Sequence, residues 1–277
     1  MKSIVVGIAL CGLLWLAPSA SQAQVYNFGK SETVILGIGR DGTLVGQLDL
    51  FYGFVKRPGR EIEIIQYPGS IATGITGIDG DCILGSFTSG FSLDVVGFKQ
   101  CKGQNTILYA FGLTFTTAMR GDGTVVGYYS TDGGRLWSGF IQKGEDAMQT
   151  YNVPGASSTR IFAIDNDGRI AGDFNDERGQ HGFIWDGKIL QKIDAPNSTG
   201  TTITGLNCRC ILGVLTMKNG NQEGFVRCKD HPKDDISVLV GVSAFPRALL
   251  PDGSIAGFFF DNSLQTNLGF ALRKFAQ

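Results

Sequence analysis

The stretch that decides the fold is residues 163–174, Ala-Ile-Asp-Asn-Asp-Gly-Arg-Ile-Ala-Gly-Asp-Phe, which is followed by Gly182-Phe183. An Asp-Gly turn stands between two short runs of alternating apolar residues, a pattern typical of a β-hairpin. The turn, the strand glycine and the Gly-Phe dipeptide recur along the chain. The dipeptides begin at Gly53, Gly97, Gly139, Gly182, Gly224 and Gly269, at spacings of 44, 42, 43, 42 and 45 residues.

Each copy of this repeat contains four predicted strands. In the copy at 156–196 we expect strands at 160–164, 169–174, 182–185 and 189–193. A polar loop is expected at 175–180, and no segment has a helical period. Four antiparallel strands in each repeat of this length are typical of a propeller blade. The sequence therefore predicts an all-β fold, a six-bladed β-propeller of four-stranded antiparallel blades.

The two ends of the chain indicate how the ring of blades closes. Residues 24–28, Gln-Val-Tyr-Asn-Phe, resemble residues 149–153, the predicted fourth strand of the third copy. The sixth copy stops after its third strand. Because an unpaired edge strand is a liability, we expect residues 24–28 to pair with a strand at 268–275 and to complete the last blade. An open array would need polar caps, which neither end shows.

Residues 1–23 have the pattern of a secretory signal peptide. Lys2 is followed by an apolar run from Ile4 to Leu16, and Ala23 stands at the expected cleavage site. An N-terminal hydrophobic strand is the alternative. The run is too short to span a bilayer, so we expect no membrane span. Residues 24–277 are expected to form a single exported propeller domain, periplasmic or extracellular.

The register of the repeat also predicts the disulfides. If each strand-two glycine faces the phenylalanine of its Gly-Phe dipeptide, two cysteine pairs lie directly opposite each other across strands two and three. Opposed Cα atoms are about 4.5–5.5 Å apart, which a disulfide tolerates. The predicted disulfides are Cys82–Cys101 and Cys210–Cys228. Cys208 remains, and we expect a buried or turn thiol, with a reactive thiol as the alternative.

The composition excludes several classes of protein. The 277 residues are 43% hydrophobic, which is too apolar for a disordered chain. The 40 glycines are about twice the usual share but follow no three-residue period, which excludes collagen. The 24 Lys and Arg against 25 Asp and Glu give a net charge of −1, without the basic footprint of a nucleic-acid-binding protein. We expect a monomer.

Three segments resemble the extracellular HAF repeat of bacterial exported proteins. They are Tyr-Asn-Val-Pro-Gly-Ala at 151–156, the stretch at 163–174 and His181-Gly182-Phe183. The other copies replace the histidine of the His-Gly-Phe form. The resemblance covers nearly all of residues 24–277 and implies an exported bacterial protein of propeller type. It implies no particular activity and no catalytic residue.

Motifs for metal, cofactor and nucleophile chemistry are absent from the sequence, and no cofactor is expected. His181 and His231 are the two histidines and lie in different copies. The residues at 165–168, Asp-Asn-Asp-Gly, resemble the start of a calcium loop, but its closing acidic residue is missing, which favours a hairpin turn. No Gly-x-Ser-x-Gly motif occurs.

The loops between strands two and three are the remaining place for function. They lie at 49–52, 88–95, 130–138, 175–181, 216–223 and 260–268, on the same face as the crossings between blades. Aromatic, acidic and Arg side chains in these loops suit a glycan or a peptide. A solvated face with rings packed on neighbouring loops is the alternative. The candidate ligand-binding residues are Phe51, Tyr52, Asp132, Arg135, Trp137, Asp176 and Arg178.

These observations favour a non-catalytic binding module that recognises a glycan, peptide or protein through that face. Trp137 and Arg135 are expected to contribute most to binding, and their joint replacement by Ala is expected to leave folding intact. The alternative is a hydrolase or lyase that acts on an extracellular polymer through paired carboxylates such as Asp132 with Asp176. A structural role in the envelope is a third hypothesis.

Overall fold

The structure, a computed structural model, describes residues 23–108, 112–229, 237–238 and 243–272, and every element in them is a β-strand. These ranges hold no helix able to cross a membrane. The predicted signal peptide lies outside the described residues except for Ala23. The strands are β1 (Gln24–Tyr26), β2 (Thr33–Ile38), β3 (Leu44–Leu48), β4 (Tyr52–Lys56), β5 (Ile62–Ile65), β6 (Ser70–Asp79), β7 (Cys82–Ser89), β8 (Val95–Cys101), β9 (Gln104–Leu108), β10 (Leu113–Met119), β11 (Val125–Ser130), β12 (Ser138–Gln142), β13 (Gln149–Tyr151), β14 (Ser158–Ile164), β15 (Ile170–Asp176), β16 (Gly179–Trp185), β17 (Leu190–Ile193), β18 (Ser198–Leu206), β19 (Cys210–Met217), β20 (Gln222–Cys228), β21 (Ser237–Val238), β22 (Ala244–Leu249), β23 (Ile255–Asp261) and β24 (Thr266–Leu272).

The strands pair antiparallel in six units of four, one for each sequence repeat, and parallel bridges from β8 to β10 and from β16 to β18 join two pairs of units into eight-stranded sheets. The first five units are consecutive in the chain: β2–β5, β6–β9, β10–β13, β14–β17 and β18–β21. The sixth consists of β22, β23 and β24 with β1 at its outer edge, where Val25 lies opposite Phe270. The prediction that the N-terminal segment completes the sixth copy is confirmed over Gln24–Tyr26. Its partner strand ends at Leu272, and residues 273–275 lie outside the described part of the chain.

The Gly-Phe register is confirmed in all six repeats. Because the strand-two glycine has no side chain, the aromatic ring lies over the bare backbone. A Cβ added to Gly127, for example, would lie 2.7 Å from Cε1 of Phe140. The opposed pairs are Gly46–Phe54, Gly85–Phe98, Gly127–Phe140, Gly172–Phe183, Gly213–Phe225 and Gly257–Phe270. All six rings are buried.

The apolar core is divided into clusters that lie between neighbouring repeats. Val45 and Val55 of the first repeat, for instance, pack with Ile75, Ile83 and Phe98 of the second. A cluster of the same kind joins the sixth repeat to the first. Each repeat buries one face of its sheet against the next, so no repeat has a core of its own.

The glycine of each Gly-Phe dipeptide allows this close approach. A Cβ added there would lie 2.6–3.1 Å from a side chain of the next repeat's first strand. Gly269 of the sixth repeat meets Ile35 of the first in the same way as Gly139 meets Ile161. The contact between the last and first repeats therefore has the geometry of the contacts between consecutive repeats.

Several predicted loops are shorter in the structure, and the one predicted at 216–223 is reduced to 218–221. The expected polar loop at 175–180 is mostly strand, because β15 continues to Asp176 and β16 begins at Gly179. Only Glu177 and Arg178 form the turn. The expected loop at 260–268 is likewise shortened to 262–265 by the extension of β23 and β24. Polar composition indicated a loop in both places, whereas exposed strand ends are equally polar.

Both predicted disulfides are present. The Cα atoms are 4.1 Å apart in Cys82–Cys101 and 4.0 Å apart in Cys210–Cys228, slightly closer than the expected range. They join the second and third strands of their repeats. Cys208 is a free, exposed thiol in the turn before β19, so the expectation of a turn residue is confirmed and that of burial is wrong.

Candidate functional site

The strand directions divide the connections between two faces of the molecule. Consecutive antiparallel strands run in opposite directions, so turns between first and second strands lie on the same side as those between third and fourth. We call this side the hairpin face. The turns between second and third strands and the crossings between repeats lie on the other side, which we call the loop face. All seven predicted ligand-binding residues are on the loop face.

Phe51 and Tyr52 are exposed beside each other at the turn between β3 and β4. Their ring centroids are 6.4 Å apart in an edge-on arrangement. The backbone carbonyl of Phe51 accepts a hydrogen bond of 2.9 Å from the N–H of Thr73 at the start of the second repeat. The two rings are therefore held on a turn that is anchored to its neighbour.

The turn between β11 and β12 carries three predicted residues in different environments. Arg135 is exposed, and Asp132 caps the turn by accepting hydrogen bonds from the backbone N–H groups of Arg135 and Leu136 at 3.0 and 3.1 Å. Trp137 is half-buried and packs edge-on against Phe115 and Tyr128, with centroids 5.8 and 5.2 Å apart. Its replacement by Ala would remove these ring contacts.

Asp176 and Arg178 surround the two-residue turn of the fourth repeat. Asp176 accepts a hydrogen bond of 2.7 Å from the backbone N–H of Arg178 and lies 3.0 Å from Nε2 of His181. Nδ1 of His181 lies 2.6 Å from Asp194, and Lys192 lies within 4 Å of both carboxylates. His181 therefore connects Asp176 to Asp194 within the fourth repeat. His231 lies outside the described residues.

The two carboxylates of the hydrolase hypothesis, Asp132 and Asp176, each accept hydrogen bonds from residues of their own turn. Hydrogen bonds from the Ser130 hydroxyl and from backbone N–H groups lower the pKa of Asp132. The backbone N–H of Arg178, with His181 and the charge of Lys192, lowers the pKa of Asp176. A general acid needs a raised pKa to hold its proton near neutral pH. The environments of these two residues oppose that role.

A β-bulge in every first strand creates a cavity that the sequence analysis missed. In each repeat the register with the second strand shifts by one residue, which leaves that residue outside the ladder. The six bulged residues are Leu36, Thr76, Thr117, Phe162, Thr204 and Arg247. All six line a single cavity of about 360 Å³, which we call the axial cavity.

This axial cavity lies toward the hairpin face. Besides the bulged residues, its lining consists of the ends of the first strands and the turns that follow them. Arg40, Arg120, Asp79, Asp167 and Cys208 are among these turn residues. None of the seven predicted ligand-binding residues lines it.

Arg160 and Arg247 lie on first strands and have different neighbours. Arg160 on β14 binds Asp173 through Nε at 2.9 Å and through Nη2 at 2.6 Å. Burial opposes its charge, but the hydrogen bonds and charge of Asp173 outweigh burial and raise the pKa of Arg160. Gln180 and Thr202 also donate to Asp173, which is almost fully buried. This network joins the fourth and fifth repeats.

Arg247 on β22 has no such carboxylate. Asp173 follows the strand-two glycine of the fourth repeat, and the equivalent residue of the sixth repeat is Phe258. The guanidinium of Arg247 lies over the Phe258 ring, 5.5 Å from its centroid. Burial, together with the charge of Arg160, lowers the pKa of Arg247. Its Nε is the one buried side-chain nitrogen or oxygen of the described residues without a hydrogen-bond partner.

A repeat alignment contains the signal that could have identified the axial residues. The bulged residue is Leu, Thr, Thr, Phe, Thr and Arg in the six first strands, and it is followed each time by Gly or Ala, at 37, 77, 118, 163, 205 and 248, so a variable residue precedes a small one. A strict alternation of side chains along the strand would include this residue in the hydrogen-bonded ladder. The bulge instead leaves it outside the ladder, where it lines the cavity. Within the described ranges, no group of three His, Cys, Asp or Glu side chains could hold a metal ion.

Similarity to solved structures identifies the fold. The chain is similar to TolB from Acinetobacter baumannii, with a TM-score of 0.59 and 9% identity over 80% of this chain, and it spans 60% of the length of that protein. It is also similar to the β-propeller domain of the Trilobed protease from Pyrococcus furiosus, with a TM-score of 0.50 and 11% identity over 88% of this chain and 96% of the other. The fold is that of a β-propeller.

A third propeller neighbour is the BP39L lectin from Burkholderia pseudomallei. Its TM-score is 0.50 and its identity 10%, over 96% of this chain and 85% of the lectin. No protein-family model matches the sequence, and the comparison with curated proteins gives no match. Because these identities are low, the similarity establishes the architecture and assigns no activity.

Proposed function

We propose that this chain is an exported, non-catalytic binding module that recognises a peptide, protein or glycan through its loop face. The observation that carries the proposal is the distribution of exposed apolar side chains. Of the twelve large hydrophobic residues exposed in the described part of the chain, eight lie on the loop face: Leu50, Phe51, Tyr52, Ile71, Phe91, Leu93, Leu136 and Leu264. Concentration of exposed apolar surface on one side is typical of an interaction surface.

The scaffold that we propose is a closed six-bladed propeller of residues 24–277. Support comes from the contact of Gly269 with Ile35 and from the cluster that joins the last repeat to the first. The pairing of β1 with β24 leaves the outer edge of the sixth sheet in the same form as the others. A ring of this kind would hold the loops in fixed positions.

The disulfide bonds of the chain are consistent with an exported protein. Two disulfides indicate an oxidising environment, because cytosolic thiols are kept reduced. The pattern of residues 1–23 and the resemblance to the HAF repeat of exported bacterial proteins support the same proposal. Residues 24–277 would then be the mature protein, a monomer in the periplasm or outside the cell.

The carboxylates on the loop face support binding better than hydrolysis. Asp49 binds three backbone N–H groups, and Asp261 caps the turn between β23 and β24 through the N–H groups of Ser263 and Leu264. Like Asp132 and Asp176, they shape the turns. A set of rigid turns with exposed rings is what a recognition surface requires.

The proposal is tested with residues 24–277 on a glycan array and on a displayed peptide library. Ligands selected by the natural chain are then measured with Phe51→Ser/Phe91→Ser, which removes two exposed rings from the loop face. Ile189→Ser is the matched control, because Ile189 is 69% exposed on the hairpin face. We expect the double variant to bind roughly tenfold or more weakly and the control to bind unchanged. Equal binding by the double variant, or no ligand from either panel, would contradict the proposal.

A further inference from the structure

The axial cavity contains a guanidinium group to which the protein supplies no anion. In the described residues, Arg247 makes no ion pair, and its Nε has no hydrogen-bond acceptor. Two other lining charges are compensated: Arg120 pairs with Asp122, and Asp165 pairs with Arg169. Arg40 also lines the cavity, but it is exposed and donates to the amide oxygen of Asn166. Among the described lining residues, Arg247 is therefore the cation with a buried nitrogen that lacks an acceptor.

Burying an uncompensated charge is costly, because the interior replaces the water that solvated it. The fold does not require this charge. Three of the six repeats place threonine at the bulged position, and the other two place Leu36 and Phe162 there. The guanidinium of Arg247 is thus not needed by the fold, and it faces an open cavity. These are the surroundings expected of a group that binds a ligand.

The shape of the site favours a carboxylate as the missing anion. A guanidinium presents parallel N–H groups that match the two oxygens of a carboxylate. Only one cation is unpaired at depth, which matches a single negative charge. Asp79 and Asp167 at the mouth would repel a polyanion. The cavity of about 360 Å³ is at the small end of the range for ligand pockets.

We propose that the axial cavity binds a small ligand through a single carboxylate group, which pairs with Arg247. The ligand's polar body lies toward the turns of the hairpin face, and the apolar wall at Phe162 and Leu36 contacts its carbon skeleton. This site is separate from the loop face and does not depend on the function proposed for that face. Two sources share this chemistry: a uronic acid sugar and the carboxyl terminus of a short peptide.

The test uses residues 24–277 in isothermal titration calorimetry with five probes, namely two acid and analogue pairs and inorganic phosphate. Galacturonic acid and its methyl ester form one pair, and acetyl-Ala-Ala and its amide form the other. We expect one free acid to bind at millimolar concentration or below and its uncharged analogue to bind roughly tenfold or more weakly. The acid that binds identifies the source. Binding of neither acid, or tighter binding of inorganic phosphate, would overturn the proposal.

Arg247→Thr is the decisive variant, because threonine occupies this position in three other repeats and the variant is expected to fold. It should lose the binding of the acid while its free energy of unfolding stays equal or rises. If binding persists, or if the variant is less stable, Arg247 has a structural role and the proposal is wrong. Loop-face variants should not change this binding, so the two proposals fail independently.

Two further measurements use Phe258, which contacts Arg247, and Cys208, which lines the cavity. Phe258→Asp would give Arg247 the internal partner that Arg160 has in Asp173, and we expect it to abolish binding of the acid with Arg247 intact.

Cys208 is exposed at the cavity mouth, so the bound acid should slow its reaction with a maleimide in the natural chain and not in Arg247→Thr. Protection that is equal in both chains would overturn the proposal.

Discussion

At the scale of single residues, the strand-two glycine fixes the distance between a sheet and its covering ring. A Cβ at Gly127 would meet the backbone oxygen of Phe115 and the ring of Phe140. We expect Gly127→Ala to lower the free energy of unfolding by about 1–3 kcal/mol, because the ring and a strand must shift. Gly74→Ala is the matched control, since its nearest neighbours would be 3.9 Å away. Urea denaturation should show a loss for the first variant only; equal losses would contradict the account.

Residue contacts that follow from the repeat register were predictable, and contacts around the axis were not. The partner of Cys82 follows from the position of Gly85, because an antiparallel register has no freedom once one pair is known. The packing of Trp137 on Phe115 and Tyr128 depends on the inner surface of a whole repeat. The proximity of Arg247 and Phe258 depends on a bulge, which a strict period of two does not show.

At the scale of elements, Asp49 fastens the segment that follows β1 to the first repeat. Its carboxylate accepts hydrogen bonds from the backbone N–H groups of Lys30, Ser31 and Glu32 at 3.1, 2.6 and 3.1 Å. Partial burial acts to raise the pKa of Asp49, but these hydrogen bonds and the charge of Lys30 outweigh it and keep the pKa low. The segment between β1 and β2 is held in place by a charge that acid removes.

A lowered pKa in the folded state gives a stabilisation that is complete above the unfolded pKa of about 3.9 and is lost as the pH falls through the folded value. Asp49→Asn should therefore be less stable than the natural chain near pH 7, by less than about 1 kcal/mol because the site is partly exposed. The difference should shrink below about pH 4. Asn tolerates the positive φ of 50° at this position. A difference in unfolding free energy that stays constant with pH would contradict this role.

Element boundaries show where local composition misleads. Residues 175–180 are polar because their strand ends project into solvent, and a two-residue turn at Glu177 and Arg178 is enough to connect them. The Asp-Gly hairpins were predictable because their glycines need positive φ, as Gly168 does at 82°. The residues that a turn requires can be recognised in the sequence, whereas the length of an exposed strand depends on the strand with which it pairs.

At the scale of the whole molecule, the pairing of β1 with β24 joins the two ends of the described chain. The ring of Phe28 packs 5.7 Å from that of Phe54, and its N–H donates to Oγ1 of Thr33 at 2.7 Å. We expect removal of residues 24–28 to lower the free energy of unfolding by about 2–4 kcal/mol, because apolar side chains lose their burial and β24 becomes an open edge. Chemical denaturation and light scattering of chains starting at residues 24 and 29 would measure the loss and any aggregation. Equal stability of the two chains would contradict closure.

This arrangement of the ends could be predicted because the sixth copy lacks its fourth strand and the N-terminal segment has the matching sequence. The axial cavity could not, since six residues from separate repeats meet there only after the repeats surround an axis. The sequence thus indicates how each unit is built, and the packing between repeats decides which side chains become neighbours.

The bulge in each first strand places six residues outside the ladder. Such a residue can change without altering the pairing of its strand, as the variety from Leu36 to Arg247 illustrates. Thr117 and Thr204 also donate hydrogen bonds to the carbonyls of Ile161 and Pro246 in the next repeat, so these two positions tolerate fewer replacements. Saturation mutagenesis at the six bulged positions should therefore yield mostly folded proteins with altered pockets. The chain is in this respect a ready scaffold for engineering, in which specificity can be rewritten one repeat at a time.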